Sequence, residues 1–472
     1  MAGRFLKAFQ PLIKFVPEVR APERRVSLSE KLLWTGLALV IYFIMSEIPL
    51  YGLHRSESVL VYRIIFASTQ GTLMELGIGP IVTAGIILQL LATSGLISVD
   101  FSDPEDRSLF AGANKVLAIF MTMLQASAYL VSGVLRAVGA IQAVIIFIQL
   151  LIAGLIVLLL DEMIEKGWGI GSGISLFILA GVAQHIMVDC FSLTPPLGDV
   201  GRFRGIIPAV IDSLIRGVPL SALIIRPEGD PSILGLLLTI AIFMFCIYMQ
   251  GIRVEIPISY SRYRGFRGKY PINLLFVSVM PVIFTGALFG NVQIFGQILW
   301  NNYRNNPILG PIIRLIGDFE ATEGGVRPVG GLAYYVTSPR GLMDFISDPF
   351  RYSVYIVLLV IFCVIFSWVW LQVGGLDPRT IAKQLVDAGL QVPGFRRAEK
   401  PIESILERYI PTVTLLGGLI VGLLAAVADV FGAFGTGTGI LLSVGIIYQY
   451  YQQIVREQVE EIYPGIRKIL GV

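Results

Sequence analysis

Long runs of apolar residues, separated by polar segments, repeat along the whole sequence. An α-helix rises about 1.5 Å per residue, so about 20 apolar residues cross a hydrocarbon core of about 30 Å. Ten runs approach or reach this length, and they predict an all-α integral membrane protein with ten transmembrane helices. The predicted spans are residues 31–50, 78–96, 109–131, 142–160, 170–188, 233–249, 273–299, 353–372, 409–428 and 437–451.

The second span is preceded by a half-length segment, residues 58–69, which is too short and too polar to cross a bilayer. Arg63 lies inside it, and Gly77, Gly79 and Pro80 open the span that follows. A short helix of this kind is tolerated at membrane depth only where it is buried in protein or lines a cavity. Broken segments also point to transport pathways. The pattern therefore predicts a re-entrant half-helix beside a pathway, with an interfacial helix outside the bundle as the alternative.

The composition agrees with a polytopic membrane protein, since 55% of the 472 residues are hydrophobic and 15% are charged. Three cysteines, Cys190, Cys246 and Cys363, cannot form a disulfide framework, because two of them lie inside spans. No cleavable signal peptide is visible, since residues 1–30 lack an apolar core. Their apolar residues recur at helical spacing instead, which predicts an amphipathic helix on the membrane surface.

The distribution of charge predicts the orientation of the chain. Residues 1–31 carry seven basic and three acidic residues, and the loop 251–270 carries five basic residues and one acidic residue. Positive residues near spans favour the cytoplasmic side, and six spans separate these two segments, so both can face the cytoplasm. The loops 190–232 and 301–351 have mixed charge and are predicted outside. Both chain termini are then predicted to be cytoplasmic.

The spans divide into two sets of five. The predicted organisation is a cytoplasmic N-terminal segment (1–30), a first half (31–189), an external connection (190–232), a second half (233–451) and a cytoplasmic tail (452–472). The second span of each half carries a similar triplet, Pro80-Ile81-Val82 and Pro281-Val282-Ile283. Corresponding triplets of this kind indicate an inverted repeat.

The residues give little support to catalysis or to metal binding. The chain has two histidines, His54 and His185, and no HExxH motif. Gly173-Ile174-Ser175 with His185 could suggest a membrane serine protease, but a serine in a glycine-rich helix is usually a packing residue. The run 435–439 (GTGTG) lacks the Lys-Ser/Thr ending of a phosphate loop. We therefore expect no enzyme activity, no metal site and no cofactor.

Charged groups lie at the ends of the spans rather than in their middles, as Glu47, Asp161, Glu162 and Asp429 do. Ion-coupled transporters keep such groups inside the membrane, where those groups carry the ion. Apolar pairs four residues apart, Ile78 with Val82 and Ile170 with Ile174, share helix faces instead. Such pairs suit core packing or an apolar constriction of a pore.

Five motifs, in order along the chain, resemble the SecY family, whose members form the large subunit of the Sec protein-conducting channel. The stretch 76–91 (LGIGPIVTAGIILQLL) resembles the second helix of that family, and 168–175 (WGIGSGIS) its fifth. Residues 263–265 (YRG) and 270–272 (YPI), with Asn291, resemble the sixth loop and seventh helix of its archaeal and eukaryotic branch. Residues 393–396 (PGFR) resemble its eighth loop and 435–439 its last helix. The outer loop 301–351 is longer than the family pattern.

The resemblance implies ten helices in two inverted halves around a central pore, and it implies a role for each matching position. The implied pore ring is Ile78, Val82, Ile170, Ile174, Ile283 and Leu442. The implied plug is Ser58, Val59, Leu60, Val61, Tyr62, Arg63, Ile64, Ile65, Phe66 and Ala67. The implied lateral gate cluster is Thr83, Gln125 and Asn291, and the implied ribosome-binding residues are Arg262, Arg264, Arg396 and Arg397.

The implied partners are a small single-span subunit of the SecE or γ type, a β-type subunit, the ribosome, signal sequences with their nascent polypeptides, and membrane lipid. The implied location is the plasma membrane of an archaeon, with the endoplasmic reticulum membrane as the alternative. From the residues themselves, an inverted-repeat secondary transporter of a small solute is the alternative function.

Overall fold

The chain folds into a mostly helical bundle in the computed structural model. The structure describes residues 4–53, 67–69, 71–94, 96–97, 99, 104–131, 135, 139–196, 202–217, 219–226, 230–260, 267–274, 280–322, 325–339, 341–387, 390–391 and 399–462. Everything below concerns these residues.

Ten helices occupy the positions of the ten predicted spans within the described residues. In the first half they are α2 (Leu28–Glu47), α3 (Gly79–Thr93), α4 (Pro104–Val131), α5 (Ala140–Met163) and α6 (Gly173–Phe191), preceded by α1 (Arg4–Ile13). The connection between the two halves holds α7 (Ile206–Arg216) and α8 (Ser221–Ile224), and α9 (Ile233–Gly251) opens the second half. Then follow the strands β1 (Arg253–Tyr260) and β2 (Arg267–Asn273) and the helix α10 (Met280–Tyr303).

The second external segment and the rest of the second half contain the remaining elements. These are α11 (Leu309–Ile316), β3 (Asp318–Thr322), β4 (Gly325–Gly330), α12 (Gly331–Tyr335), α13 (Leu342–Ser347), α14 (Pro349–Val373), α15 (Pro378–Asp387), β5 (Leu390–Gln391), α16 (Glu399–Val430) and α17 (Gly437–Ile462). Eight of the helices among the described residues are long and apolar enough to cross a membrane. Of the other two predicted spans, α3 is 15 residues long and α17 carries charges in its second half.

The segment between the sixth and seventh spans, predicted to be cytoplasmic, differs from the expected loop. Its strands β1 and β2 form an antiparallel hairpin that includes Asn273, the first residue of the predicted span, and among the described residues α10 begins at Met280. Pro257 and Pro271 lie in these strands, where a two- or three-stranded sheet with free edges tolerates proline. The basic residues and prolines of this segment concealed its strands.

The N-terminal helix α1 packs against protein. Leu6 is fully buried with Leu88 of α3 and Ala113 of α4, and Phe9 packs against the same group. A side chain at Gly112 would lie 2.7 Å from Ile13, so the helices approach closely there. The predicted amphipathic helix is present, and its apolar face covers the ends of α3 and α4 rather than lipid alone.

Equivalent capping contacts relate the two halves. At the start of α6, the backbone N–H of Ile174 donates to Asp161 Oδ1 over 2.9 Å. At the start of α17, the N–H of Gly437 donates to Asp429 Oδ1 over 2.7 Å. In each half an aspartate near the end of the fourth helix therefore caps the fifth helix, as an inverted repeat requires.

We predict that Asp429→Ala destabilises the bundle. The substitution leaves the buried N–H of Gly437 and the hydroxyl of Tyr355, which donates to Asp429 Oδ2 over 2.8 Å, without their acceptor. Each unpaired buried group costs about 1–3 kcal/mol, so the unfolding midpoint in detergent should fall by several degrees, as followed by circular dichroism. Asp387→Ala, on the exposed surface of α15, is the control. Equal midpoints for the two variants would contradict this account.

Candidate functional site

The predicted plug enters the bundle at its last residue. Residues 58–66 lie outside the described residues, but Ala67 is described and is buried. Its carbonyl accepts a hydrogen bond from the Tyr42 hydroxyl of α2 over 3.4 Å, and a side chain at Gly181 of α6 would lie 3.5 Å from its Cα. Ala67 also has a φ of +49°, which is uncommon for a residue other than glycine. The end of the segment is thus fixed between α2 and α6.

The turn from Ala67 to α3 is held by a short backbone bridge and by one buried carboxylate. Leu50 N–H donates to Gly71 O over 2.8 Å, and Leu73 N–H donates to Ile48 O over 3.0 Å. The side chain of Glu75, which is only 2% exposed, accepts the N–H of Gly71. These bonds satisfy the backbone where the chain reverses, so α3 can begin inside the bundle.

Four of the six predicted ring residues are buried in the central apolar cluster. Ile78, Val82, Ile283 and Leu442 belong to it, and Ile174 is partly buried and packs against it. They come from α3 with its N-terminal flank, from α10, from α17 and from α6. The structure therefore gathers these five residues into one core that both halves build.

The position of the sixth residue, Ile170, differs from the other five. It precedes α6, and its backbone N–H donates to Thr35 Oγ1 of α2 over 3.0 Å. It is buried but does not belong to the central cluster. Its environment is the junction between α2 and the turn before α6.

The register of α6 against α17 indicates a residue that the sequence interpretation missed. A side chain at Gly439 would lie 3.1 Å from Val182, and Tyr450 Oη donates to the carbonyl of Ser172 over 3.0 Å. The two helices are therefore antiparallel, and Leu442 is level with residues near 179. Ile178, fully buried in the central cluster, lies at that level, whereas Ile170 is roughly 13 Å farther along at 1.5 Å per residue. The signal was in the sequence, because Ile178 follows Ile174 by four residues.

Two of the three predicted gate residues meet directly. Asn291 Nδ2 of α10 donates to Thr83 Oγ1 of α3 over 3.0 Å, and the Thr83 hydroxyl itself lies 2.7 Å from the carbonyl of Gly79. Gln125, the third, is buried on α4, which packs against α3. A polar contact thus joins a helix of the first half to a helix of the second.

The neighbouring contact between α10 and α14 is aromatic. Phe284 of α10 lies edge-on to both Phe366 and Trp370 of α14, with ring centroids 5.8 Å apart in each case. Phe289 makes a similar contact with Phe362 at 5.8 Å. Each pair contributes about 0.5–1.5 kcal/mol beyond its buried area, so α10 and α14 are joined more firmly to each other than α10 is to α3.

The four predicted ribosome-binding arginines lie outside the described residues, but the strands beside them are described. β5 pairs with β1 through Ser259 with Gln391 and Tyr260 with Leu390, giving a sheet of order β2-β1-β5. Because β5 is antiparallel to β1, the chain leaves β1 after Tyr260 and β5 after Gln391 in opposite directions, from neighbouring strands of one sheet. On this sheet a hydrogen bond from Lys269 lowers the pKa of Glu255.

The sheet β2-β1-β5 packs in a small apolar core that is separate from the central cluster. Ile256 and Ile272 of the hairpin pack with Leu371 of α14, Ile381 of α15 and Leu406 of α16. Both loops thus share one rigid base. Among the described residues, no group of three or more His, Cys, Asp or Glu side chains is placed to hold a metal ion.

Comparison with known proteins gives consistent matches along the whole chain. The family model described as SecY matches residues 72–451, and the model described as the plug domain of Sec61p matches residues 40–71. The protein translocase subunit SecY of Pyrococcus furiosus is 42% identical over 476 residues, covering 98% of each chain. The solved structure of a protein-conducting channel has a TM-score of 0.81 at 41% identity, covering 97% of this chain and 99% of that one. Sec61 in the canine ribosome-channel complex of the endoplasmic reticulum has a TM-score of 0.79 at 40% identity, with the same coverage.

We predict that Thr83→Val loosens the contact between α3 and α10. Valine has the shape of threonine but offers no acceptor, so the amide of Asn291 loses its partner, at a cost of about 0.6–2 kcal/mol for an interhelical bond in a membrane. The separation of spin labels on the two helices should broaden toward longer distances in pulsed electron resonance. Thr83→Ser, which keeps the hydroxyl, is the matched control, and identical distance distributions for both would contradict the prediction.

Proposed function

Because the chain belongs to the SecY family, we propose that it is the central pore-forming subunit of a Sec translocon. It passes unfolded secretory polypeptides across the membrane and releases transmembrane segments sideways into lipid. The family resemblance predicted from the sequence is confirmed over nearly the whole chain. The observation that carries the function is the match of the entire bundle, at 41% identity, to a protein-conducting channel. The secondary-transporter alternative is not retained.

The apolar cluster at the centre of the bundle supports a pore ring. Branched apolar side chains bind no particular partner, so a polypeptide of any sequence can pass between them. A narrow apolar neck also resists ions by dewetting when it is closed. The proposed ring is Ile78, Val82, Ile174, Ile283 and Leu442, with Ile178 from the register of α6 and Ile170 as the competing sixth position.

The contact of Thr83 with Asn291 supports a lateral gate between α3 with α4 and α10 with α14. One hydrogen bond of this kind is weak enough for an apolar signal sequence to replace it with its own contacts. Gln125, buried on α4, is proposed as the third member of the gate cluster. The aromatic pairs keep α10 and α14 together while the seam opens.

The segment 58–67 is proposed as the plug that closes the pore at rest. It falls inside the region matched by the plug-domain model, and its last residue is held between α2 and α6. A half-helix buries less apolar surface than a span, so it can leave its place without unfolding the bundle. The neck closes the channel and the plug seals it from one side.

Ribosome binding is proposed for the sheet β2-β1-β5 and its loops. A similar solved structure, at 40% identity, is of Sec61 in a ribosome-channel complex. Arg262 and Arg264 follow β1, Arg396 and Arg397 follow β5, and guanidinium groups pair with RNA phosphates. Both pairs follow neighbouring strands of one sheet, which supports a shared ribosome-binding surface. The small γ-type and β-type subunits complete the proposed complex.

The chain is a multi-pass membrane protein, and the positive segments support the finer proposal that both termini are cytoplasmic. That orientation puts the sheet on the ribosome side and the segments 190–232 and 301–351 outside. An archaeal plasma membrane is proposed, since the relative from Pyrococcus furiosus is 42% identical, with the endoplasmic reticulum as the alternative. No covalent chemistry and no cofactor are part of this proposal.

We predict that Ile283→Asn and Leu442→Asn raise the resting ion conductance of reconstituted channels several-fold, because asparagine holds water in the neck. Ile283→Leu, which stays apolar, should conduct like the parent. Ile178→Asn and Ile170→Asn decide the sixth position, since only the residue in the neck should increase the current. If no asparagine variant raises the resting ion conductance, the proposed pore ring is wrong.

We predict that reversing both Arg396 and Arg397 to Glu weakens ribosome binding at least tenfold at physiological salt. Each lost phosphate contact lowers the salt dependence of the binding constant by about one unit on a log–log plot. Binding should be followed by co-sedimentation over a range of salt concentrations. Reversing Arg379 and Lys383, exposed on α15 in the same cytoplasmic core, is the matched control. Equal losses of ribosome binding in both double variants would show that Arg396 and Arg397 contribute only general positive charge.

A further inference from the structure

The helix α11 carries an apolar face that the rest of the described chain leaves uncovered. Ile308, Ile312 and Leu315 are 78%, 58% and 76% exposed, and their spacing places them on one face of the helix. The opposite face is fully used, since Ile313 packs in a small core with Trp300 and Phe319. Ile308, Ile312 and Leu315 therefore form an outer surface of the helix, separate from the core around Ile313.

The exposure of this row matches that of the lipid-facing side of a span. On α14, Val357, Ile361 and Ile365 are 56%, 47% and 45% exposed in the same isolated chain. Large apolar side chains of a membrane protein are this exposed where lipid covers them. The row on α11 has the same character although α11 does not cross the membrane.

The depth of α11 follows from its attachment to α10. The 24 residues of α10 measure about 36 Å at 1.5 Å per residue, which brings Trp300 and Tyr303 near the membrane–water boundary. The chain then turns back at once, because the N–H of Gly310 donates to the carbonyl of Asn306 over 2.8 Å. A side chain at Gly310 would lie 3.0 Å from the carbonyl of Arg304. The start of α11 thus stays within a few ångströms of the end of a span.

The charged residues of α11 and of the turn before it are both basic, and the next acidic residue along the chain, Asp318, is bonded to Trp300. Residues 301–317 contain Arg304 and Arg314 and no acidic residue, and both arginines are exposed. The Arg304 guanidinium lies 4.3 Å above the ring of Trp300, at the boundary end of α10. Arginine side chains reach from an apolar surface to phosphate groups, which suits a helix lying flat in an interface.

We propose that α11 lies in the membrane interface, with Ile308, Ile312 and Leu315 among the lipid chains and the two arginines at phosphate headgroups. The leaflet is the one opposite the sheet β2-β1-β5. The external segment also bonds to α10 and α14: Trp300 Nε1 donates to Asp318 Oδ1, and Arg351 Nε donates to the carbonyl of Tyr334, each over 3.0 Å. The outer ends of both helices are thereby anchored to lipid. The proposal needs a membrane-spanning bundle but not the proposed channel function.

Spin-label accessibility tests the proposal in the full complex with its small subunits, reconstituted in nanodiscs containing anionic phospholipid. Cys190, Cys246 and Cys363 are replaced by alanine, and single labels are placed at Ile312, Leu315, Ile361 and Asn305. Collisions with oxygen should exceed those with a water-soluble nickel complex several-fold at 312 and 315, as at the lipid-facing 361. Asn305, exposed in the turn, should show the reverse. Nickel collisions equal to or above oxygen collisions at 312 and 315 would overturn the proposal.

Two further measurements test whether a small subunit covers this face and whether the two arginines bind headgroups. If labels at 312 and 315 are shielded from both reagents in the complex but not in the chain alone, a small subunit covers the face, and the lipid assignment is wrong. In the variant with Arg304→Gln and Arg314→Gln, the ratio of oxygen to nickel collisions at Leu315 should fall about twofold. An unchanged ratio would overturn the role of the arginines at headgroups.

Discussion

The whole structure depends on satisfying backbone polar groups where helices break inside a membrane. Lipid offers no hydrogen bonds, so each broken end must be paired within the protein. Three buried carboxylates do this: Glu75 accepts from Gly71 before α3, Asp161 from Ile174 at the start of α6, and Asp429 from Gly437 at the start of α17. Helices can then begin inside the bundle, and short helices become possible where a plain bundle would need full spans.

These caps also set the positions of residues in the proposed neck. Ile174 is both the residue whose N–H bonds to Asp161 and a side chain packed on the central cluster, and Leu442 follows the capped Gly437 by five residues. Ile78 lies immediately before α3, after the turn that Glu75 holds. The acidic groups that argued against an ion-coupled transporter thus have a structural task. Asp161 and Asp429 fix the starts of the two helices that contribute Ile174 and Leu442 to the proposed neck.

The sequence predicted the elements whose signal is local. Span positions follow from apolar runs, and all ten have a described helix. The largest differences are that α16 begins ten residues before its predicted span and that α17 ends eleven residues after its own. The hairpin β1–β2 was missed because its strands are basic and contain proline, and its core is supplied from α14 to α16, far along the chain. Ile178 was missed although its spacing from Ile174 is visible in the sequence, because the choice between Ile178 and Ile170 needs the register of α6 against α17. Thr83 and Asn291 were found through the family motif.

The two seams of α10 explain how a channel can open sideways and remain folded. Toward α3 the polar contact is the hydrogen bond between Asn291 and Thr83, beside apolar packing that a competing apolar segment can replace with its own. Toward α14 the contacts are edge-to-face aromatic pairs, and α14 in turn packs tightly on α16, where a side chain at Gly422 would lie 2.9 Å from the Cα of Val360. The contacts of α14 thus join α10, α14 and α16 into one unit, and the seam toward α3, where the gate is proposed, is the more weakly joined side of α10.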